Sequence, residues 1–220
     1  MNKRNYQKEM EEVLKGLQVD QKGRPKLLLH SCCGPCSSYV MKVLTDFFDL
    51  SLFYYNPNIH PQAEYEKRLA TQRELCEKMP FTGKLTFLSA PYDPERFFAQ
   101  TKGLEEEREG GSRCEVCFRL RLEETAKEAK KQGADFFTTT LSVSPHKNAP
   151  LLNAIGEEMA KKYQVNYLVA DFKKKEGYKQ SVQLAKAYDL YRQDYCGCIY
   201  SLRQREEEKA AQEAKKDPFL

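Results

Sequence analysis

Five short apolar runs, at 26–30, 50–55, 85–89, 135–139 and 166–169, alternate along this chain with longer segments of helical spacing at 37–48, 62–78, 117–132, 151–163 and 180–188. Strands that recur with helices between them need crossover connections, and such crossovers lay the strands side by side in parallel. The alternation therefore predicts an α/β fold, a parallel sheet flanked by helices. Phe118, Leu122, Ala126 and Ala129 share one face of the third helix and leave Arg119, Glu123, Lys127 and Lys130 to solvent. A chain of 220 residues can bury one substantial core. The expected organisation is a single domain over 1–220, with an N-terminal helical extension at 1–25, a core at 26–201 and a C-terminal surface helix at 202–220.

Seven of the eight cysteines lie in three tight groups, Cys32-Cys33-Gly34-Pro35-Cys36, Cys114-Glu115-Val116-Cys117 and Cys196-Gly197-Cys198. A disulfide framework usually joins distant cysteines in an oxidising compartment, whereas thiols this close together can face one point. The pattern points to a metal-binding or redox-active thiol site. The first 17 residues are charged and helix-like and lack the apolar core of a signal peptide. No apolar run approaches the roughly 20 residues that cross a bilayer. A cytoplasmic protein with reduced thiols and no membrane partner is expected.

The first group follows the run Leu27-Leu28-Leu29-His30 and precedes a helix, which puts it at the carboxyl end of the first strand. Ligands of open α/β sheets bind at that end, and a turn there directs free backbone N–H groups toward anions or inorganic sulfide. Several chemistries compete for this turn. A phosphate loop would carry several glycines and a Lys or Ser/Thr; the turn has only Gly34, which disfavours nucleotide hydrolysis. Cys33-Gly34-Pro35-Cys36 has the spacing of a thioredoxin-like dithiol, yet a simple dithiol enzyme has no use for the other two groups. Cys114, Cys117, Cys196 and Cys198 alone could form a structural zinc site. Seven clustered thiols exceed that need and fall short of two iron–sulfur clusters with four ligands each. One cubane cluster plus a further metal or a reactive thiol fits the count. Cys76, set apart in the helix at 62–78, reads as a small buried apolar side chain.

The strings around these groups carry a resemblance. His30-Ser31-Cys32-Cys33-Gly34-Pro35-Cys36 is followed by Tyr55-Asn56-Pro57-Asn58-Ile59-His60-Pro61, with Glu64, Tyr65 and Arg68, and then by Arg113-Cys114-Glu115-Val116-Cys117-Phe118-Arg119-Leu120-Arg121-Leu122. Thr138 to Asn148, Asp171-Phe172-Lys173-Lys174, Gly177-Tyr178-Lys179-Gln180-Ser181 and Gln193 to Ser201 continue the series. In this order, over 26–201, the chain resembles the QueH epoxyqueuosine reductases. The resemblance implies a Rossmann-like α/β fold similar to the adenine-nucleotide α-hydrolase-like (HUP) group. It also implies an oxidoreductase of tRNA processing that completes queuosine biosynthesis without cobalamin. Epoxyqueuosine at the anticodon wobble position takes up two electrons and two protons, giving queuosine and water. The implied cofactors are a [4Fe-4S] cluster and an additional mononuclear metal, with iron the expected ion.

On that basis Cys33, Cys114, Cys117 and Cys196 are expected to hold the cluster, and Cys32, Cys36 or Cys198 with a carboxylate the second metal. Cys36 is also a candidate catalytic thiol. Asp194, two residues before Cys196, could ligate metal or donate a proton, or simply be solvated. Asp93 suits a catalytic role or a helix N-cap equally, and Asp171 follows a strand. His30 could tune the cluster, although a histidine closing a buried strand is more often a satisfied core group. An anticodon loop is gripped through phosphates and unstacked bases; the candidate contacts are Tyr55, Asn56, His60, His146, Lys147, Asn148, Lys173 to Lys175, Tyr178 and Lys179. Arg113, Arg119 and Arg121 straddle the second thiol pair and could bind phosphate or compensate the cluster's charge. A net charge of +4 permits a polyanionic partner without demanding one. The expected partners are tRNA bearing epoxyqueuosine and a small electron-donor protein or reductant. No ATP is expected, because His30-Ser31-Cys32-Cys33-Gly34 stands where a related sulfur-transfer enzyme would carry a Ser-Gly-Gly pyrophosphate loop. The competing reading is a zinc-organised, non-catalytic RNA-binding module.

Overall fold

Strand β1 (Lys26–Ser31) is the centre of the computed structural model, which describes residues 4–17 and 23–214. Leu27, Leu28 and Leu29 are wholly removed from solvent. Successive side chains of a strand point to opposite faces, so three buried neighbours mean that both faces are covered, as a parallel sheet requires. β1 pairs in parallel with β2 (Asp49–Tyr54) on one side and β4 (Phe136–Thr139) on the other. β3 (Leu85–Ser89) lies outside β2 and β5 (Asn166–Tyr167) outside β4, giving the order β3-β2-β1-β4-β5. The Rossmann-like architecture expected from the sequence is the one observed.

Helices cover both faces. Leu27 and Leu29 pack with Val40, Met41 and Leu44 of α2 (Gly34–Leu44), and with Met10 and Leu14 of α1 (Tyr6–Gly16). Leu28 faces the other way, onto Phe118, Leu122, Ala126 and Ala129 of α5 (Ser112–Gln132) and Leu152 and Ile155 of α6 (Ala149–Tyr163). The apolar stripe read from 117–132 is thus the face of α5 that meets the sheet. α3 (Gln62–Lys78) follows β2, α4 (Pro94–Thr101) precedes α5, and α7 (Gly177–Ala187) and α8 (Ile199–Ala214) close the chain. Of the extension expected at 1–25, residues 1–3 and 18–22 lie outside the described residues, as do 215–220 of the tail.

Two boundaries and one additional helix differ from the sequence-based expectation in ways that matter. α2 begins at Gly34, not residue 37, because Pro35 fits the first turn of a helix, where its missing N–H is not needed. α5 begins at Ser112, not residue 117, so Cys114 and Cys117 both lie on it, three residues apart and on one face. α4 was not anticipated, although Asp93 and Pro94 carry its capping signal: the Asp93 carboxylate accepts from the Arg96 N–H at 3.3 Å.

The chain runs outward from β1 to β2 and β3, then returns to place β4 and β5 on the other side. The order therefore reverses between β1 and β4, and a crevice opens there at the carboxyl ends of the strands. Cys32 leaves β1 on one side of that crevice and Thr140 follows β4 on the other; the Cys32 N–H donates to Thr140 Oγ1 at 3.2 Å across it.

Candidate metal centre

Cys33 caps α2 in extended conformation, and Gly34 brings the helix's first turn against α3, where an added Cβ would lie 2.9 Å from Thr71 Cγ2 and 3.3 Å from the Thr71 carbonyl. This tight turn gathers the sulfurs of Cys32, Cys33 and Cys36 within 4.8 Å of one another. Cys32 Sγ accepts from the Thr140 hydroxyl at 3.4 Å, and Cys33 Sγ accepts from Gln193 Nε2 at 3.0 Å. Ionising all three sulfurs without a cation is prohibitive. Hydrogen bonds from Cys33 and Cys36 hold the Cys32 thiol well below its ordinary range, and the price is that Cys33 is pushed up to about 12 and Cys36 well above normal, chiefly by their bonds to Cys32. A bound cation removes this conflict, since metal coordination deprotonates thiols outright.

The second group sits on the first turns of α5. Gly110 N–H donates to Cys114 Sγ at 3.2 Å, and burial pushes the Cys117 thiol up to about 12. The third group has no secondary structure of its own, lying between α7 and α8. Cys196 Sγ accepts from Lys147 Nζ at 2.9 Å, and the same ammonium reaches Glu109 Oε1 at 2.6 Å. Cys198 Sγ accepts from the Ser201 N–H at 3.4 Å. Arg68 of α3 holds this segment in place, donating to the Cys196 carbonyl at 3.1 Å and the Tyr195 carbonyl at 3.4 Å while its Nε binds Glu64 at 2.6 Å. Gly197, at φ +128, turns the chain tightly between Arg68 and Ile59, a conformation that disfavours any side chain.

A cavity of about 750 Å³ opens over the crevice, and Cys32, Cys36 and Cys196 line it. The first and third groups therefore face one space. Cys114 and Cys117 do not line it; they lie buried on α5, whose Arg121 reaches the cavity wall. Among the described residues, the first group alone brings three ligand atoms within 4.8 Å; Cys114, Cys117, Cys196 and Cys198 do not join it at that spacing. The donor set nevertheless suits an anionic metal–thiolate centre. Arg121 and Arg113 are buried with guanidinium nitrogens that have no partner, Nη2 of the first and Nε and Nη2 of the second. Buried cations of this kind call for negative charge nearby.

Other candidates take varied places. Asp194 lines the cavity but is half exposed and paired with Lys209 at 2.6 Å and Arg205 at 3.8 Å. Asp93 caps α4 and does not line the cavity. Asp171 is paired with Lys173 at 2.6 Å. His30 is a buried, satisfied histidine between Thr139 Oγ1 at 2.9 Å and the Tyr55 carbonyl at 3.0 Å; burial lowers it to about 4, so it is neutral. Tyr55 is buried, its hydroxyl accepting from Arg96 at 3.3 Å, and Asn56 donates to the Ser31 carbonyl at 2.8 Å. His60 packs edge-on against Phe98, and Asn148 caps α6 at 3.1 Å. His146, Lys147 and Tyr178 do line the cavity, and Tyr178 is 42 % exposed. Of the three arginines, Arg119 is a surface residue bound to Glu115 and Glu158, and Arg113 ties the loop carbonyls of Leu104, Glu105 and Glu107. Cys76 is partly buried at the edge of the core. Sequence reading gave no role to Thr140, Gln193, Glu109 or the Glu64–Arg68 pair; all but Glu109 lie in the strings that carry the resemblance, and Glu64 and Arg68 add opposite charges four residues apart on a helix.

Fold and site together define a cysteine-rich α/β protein with a Rossmann-like parallel sheet, its first cysteine group gathered at the switch point of that sheet. The U34-tRNA thiolase NcsA from Methanococcus maripaludis, solved with its [4Fe-4S] cluster, shares this fold with a TM-score of 0.50 at 15% identity, over 96% of this chain and 74% of that one. Within that class, residues 27–204 match the family Epoxyqueuosine reductase QueH. Proteins of that name from Streptococcus pyogenes serotype M1 (44% identical, 90% of this chain and 78% of the relative) and Thermotoga maritima (39% identical, 84% and 94%) are similar over most of their lengths. The chain belongs to this oxidoreductase family.

Proposed function

We propose that this protein reduces epoxyqueuosine in tRNA to queuosine at a thiolate-held metal centre in the β1–β4 crevice. The observation that carries the reading is the gathering of Cys32, Cys33 and Cys36 within 4.8 Å, with Cys32 and Cys36 lining a cavity that Cys196 also lines. A [4Fe-4S] cluster would supply electrons one at a time, and an adjacent iron would act as a Lewis acid on the epoxide oxygen. Cys33, Cys114, Cys117 and Cys196 are the proposed cluster ligands, with Cys32, Cys36 or Cys198 left for the second metal. Cys32 and Cys36 stand beside Cys33, so the two centres are neighbours in this reading.

The chain's own groups would hold the substrate in that cavity. Tyr178 offers an exposed ring at the cavity wall for stacking a nucleobase. His146, Arg192 and Arg205 line the same opening and suit phosphate or ribose oxygens. Lys147 is held by Glu109 and Cys196, so it serves the thiolate rather than a phosphate. Asp194 would be free to act on metal or proton only once its pairing with Lys209 opens. Asp93 keeps a capping role. The electron donor is a small protein or reductant, ATP is not required, and the working compartment is the cytoplasm. Among the described residues no helix is long and apolar enough to cross a membrane.

Anaerobic reconstitution with iron and sulfide, followed by reduction in the presence of epoxyqueuosine-containing tRNA, tests the proposal. Brown protein absorbing broadly in the visible and queuosine in the digested tRNA are expected. A colourless zinc protein, or an intact cluster that yields no queuosine, would overturn it.

A further inference from the structure

Asp194 stands at the cavity rim beside two cations of α8, and both reach for the same oxygen. Lys209 Nζ lies 2.6 Å from Asp194 Oδ2 and Arg205 Nε 3.8 Å from it, while Arg205 Nη1 lies 3.5 Å from Glu208. Arg205 Nε is closed off from solvent and, among the described residues, has no hydrogen-bond partner. The fit is therefore incomplete. Asp194, Arg205 and Glu208 all line the cavity, but with Lys209 they form two carboxylates against two cations, so this side of the rim has no net charge to attract a polyanion. From Glu206 to Ala214 every residue of α8 is exposed. Among the described residues, Lys209 to Asp194 is the one ion pair that ties this half of the helix back to the body of the chain.

An RNA phosphate can reach these two cations only by exchange with the carboxylate. An exposed ion pair is worth little, so opening it is easy. Arg takes phosphate through two parallel hydrogen bonds, and binding releases counterions condensed on the nucleic acid. A phosphate also brings more acceptor oxygens than the single one the two cations now share. We propose that Asp194 is a placeholder for a phosphate of the tRNA backbone: the arriving phosphate takes Arg205 and Lys209, and the freed carboxylate turns into the cavity. Ion pairs are exchanged and no covalent bond changes. The chain on either side is held, by Gln193 on Cys33 Sγ and by Arg68 on the carbonyls of Tyr195 and Cys196, so the release is a side-chain movement. The proposal rests on the tRNA reading above and adds an order of events, in which Asp194 is unmasked only after the backbone is seated.

Filter binding of epoxyqueuosine-bearing tRNA to the anaerobically reconstituted protein tests this. Asp194→Asn removes the internal competitor at constant size and should lower Kd about two- to fivefold, the range an exposed ion pair spans. The gain should vanish in a background carrying Arg205→Gln and Lys209→Gln, which should itself bind more weakly and with a shallower salt slope. Glu207→Gln makes the same change of charge on α8 but, among the described residues, pairs with neither cation, and it should leave Kd unchanged. If the doubly substituted background loses its helical circular dichroism, the comparison of Asp194→Asn with Glu207→Gln decides alone. An Asp194→Asn variant that binds no tighter than wild type overturns the proposal, as does a gain that Glu207→Gln matches or that survives without the two cations. Wild type that binds no tRNA overturns the tRNA reading and the proposal together; wild type that binds and reduces it, with no gain in Asp194→Asn, overturns the proposal alone.

Discussion

Arg68 donates to the carbonyls of Cys196 and Tyr195 and pairs with Glu64, with a side chain only 2 % exposed; Tyr191 adds a hydroxyl hydrogen bond to Glu64 at 3.0 Å. No regular element holds the Cys196-Gly197-Cys198 segment, so this network fixes where its sulfurs sit. Removing one member of a buried pair leaves the other uncompensated, and Arg68→Ala should cost about 3–5 kcal/mol. Chemical denaturation would measure that loss, and iron and sulfide assays should find the variant depleted of both. Gln193 acts at shorter range through its N–H on Cys33 Sγ. Hydrogen bonds to cluster sulfurs raise the reduction potential, so Gln193→Leu should keep its iron but reduce at a more negative potential in a redox titration.

At the scale of elements, the close approach of α2 to α3 at Gly34 forms the cysteine turn. Gly34→Ala would push a methyl against Thr71 and should cost about 1–3 kcal/mol through overpacking. The same shift displaces Cys33 and Cys36, so metal retention after gel filtration should fall with stability. Asp93 gives the contrasting case. As the N-cap of α4 it contributes about 1 kcal/mol, and Asp93→Ala should lose that much in a thermal melt while its iron content and queuosine yield stay at wild-type levels. A collapse in yield without loss of iron would restore a catalytic role to Asp93. The early start of α5 shows why element ends resist sequence reading. The apolar stripe from Phe118 onward announces the helix, but Ser112 to Cys117 carry thiols and charges whose burial depends on the site above them.

At the scale of the whole molecule, the sheet gathers cysteines separated by more than a hundred residues around one crevice, and the rim of that crevice carries Arg192, Arg205 and His146. If tRNA binds there through several phosphates, its affinity should fall steeply as salt rises, by a logarithmic slope of about 0.7–0.9 per phosphate neutralised. A filter-binding series that stays flat from low to high salt would remove the basic rim from the interface. Local patterning settled much of this protein: the strand and helix alternation dictated a parallel sheet, the apolar stripes fixed which faces are buried, and the cysteine strings with their neighbours carried the family. These are short-range properties, set by periodicity and by residues adjacent in the chain. Tertiary structure alone decided that Cys32 and Cys196 share a cavity, that Arg68 latches the third group, that Gln193 and Thr140 donate to sulfur, and that Arg121 rather than Arg119 is buried beside the thiols. Those facts depend on where the reversal of strand order brings distant segments together, and on burial, which turns an ordinary arginine into a charge that needs a partner.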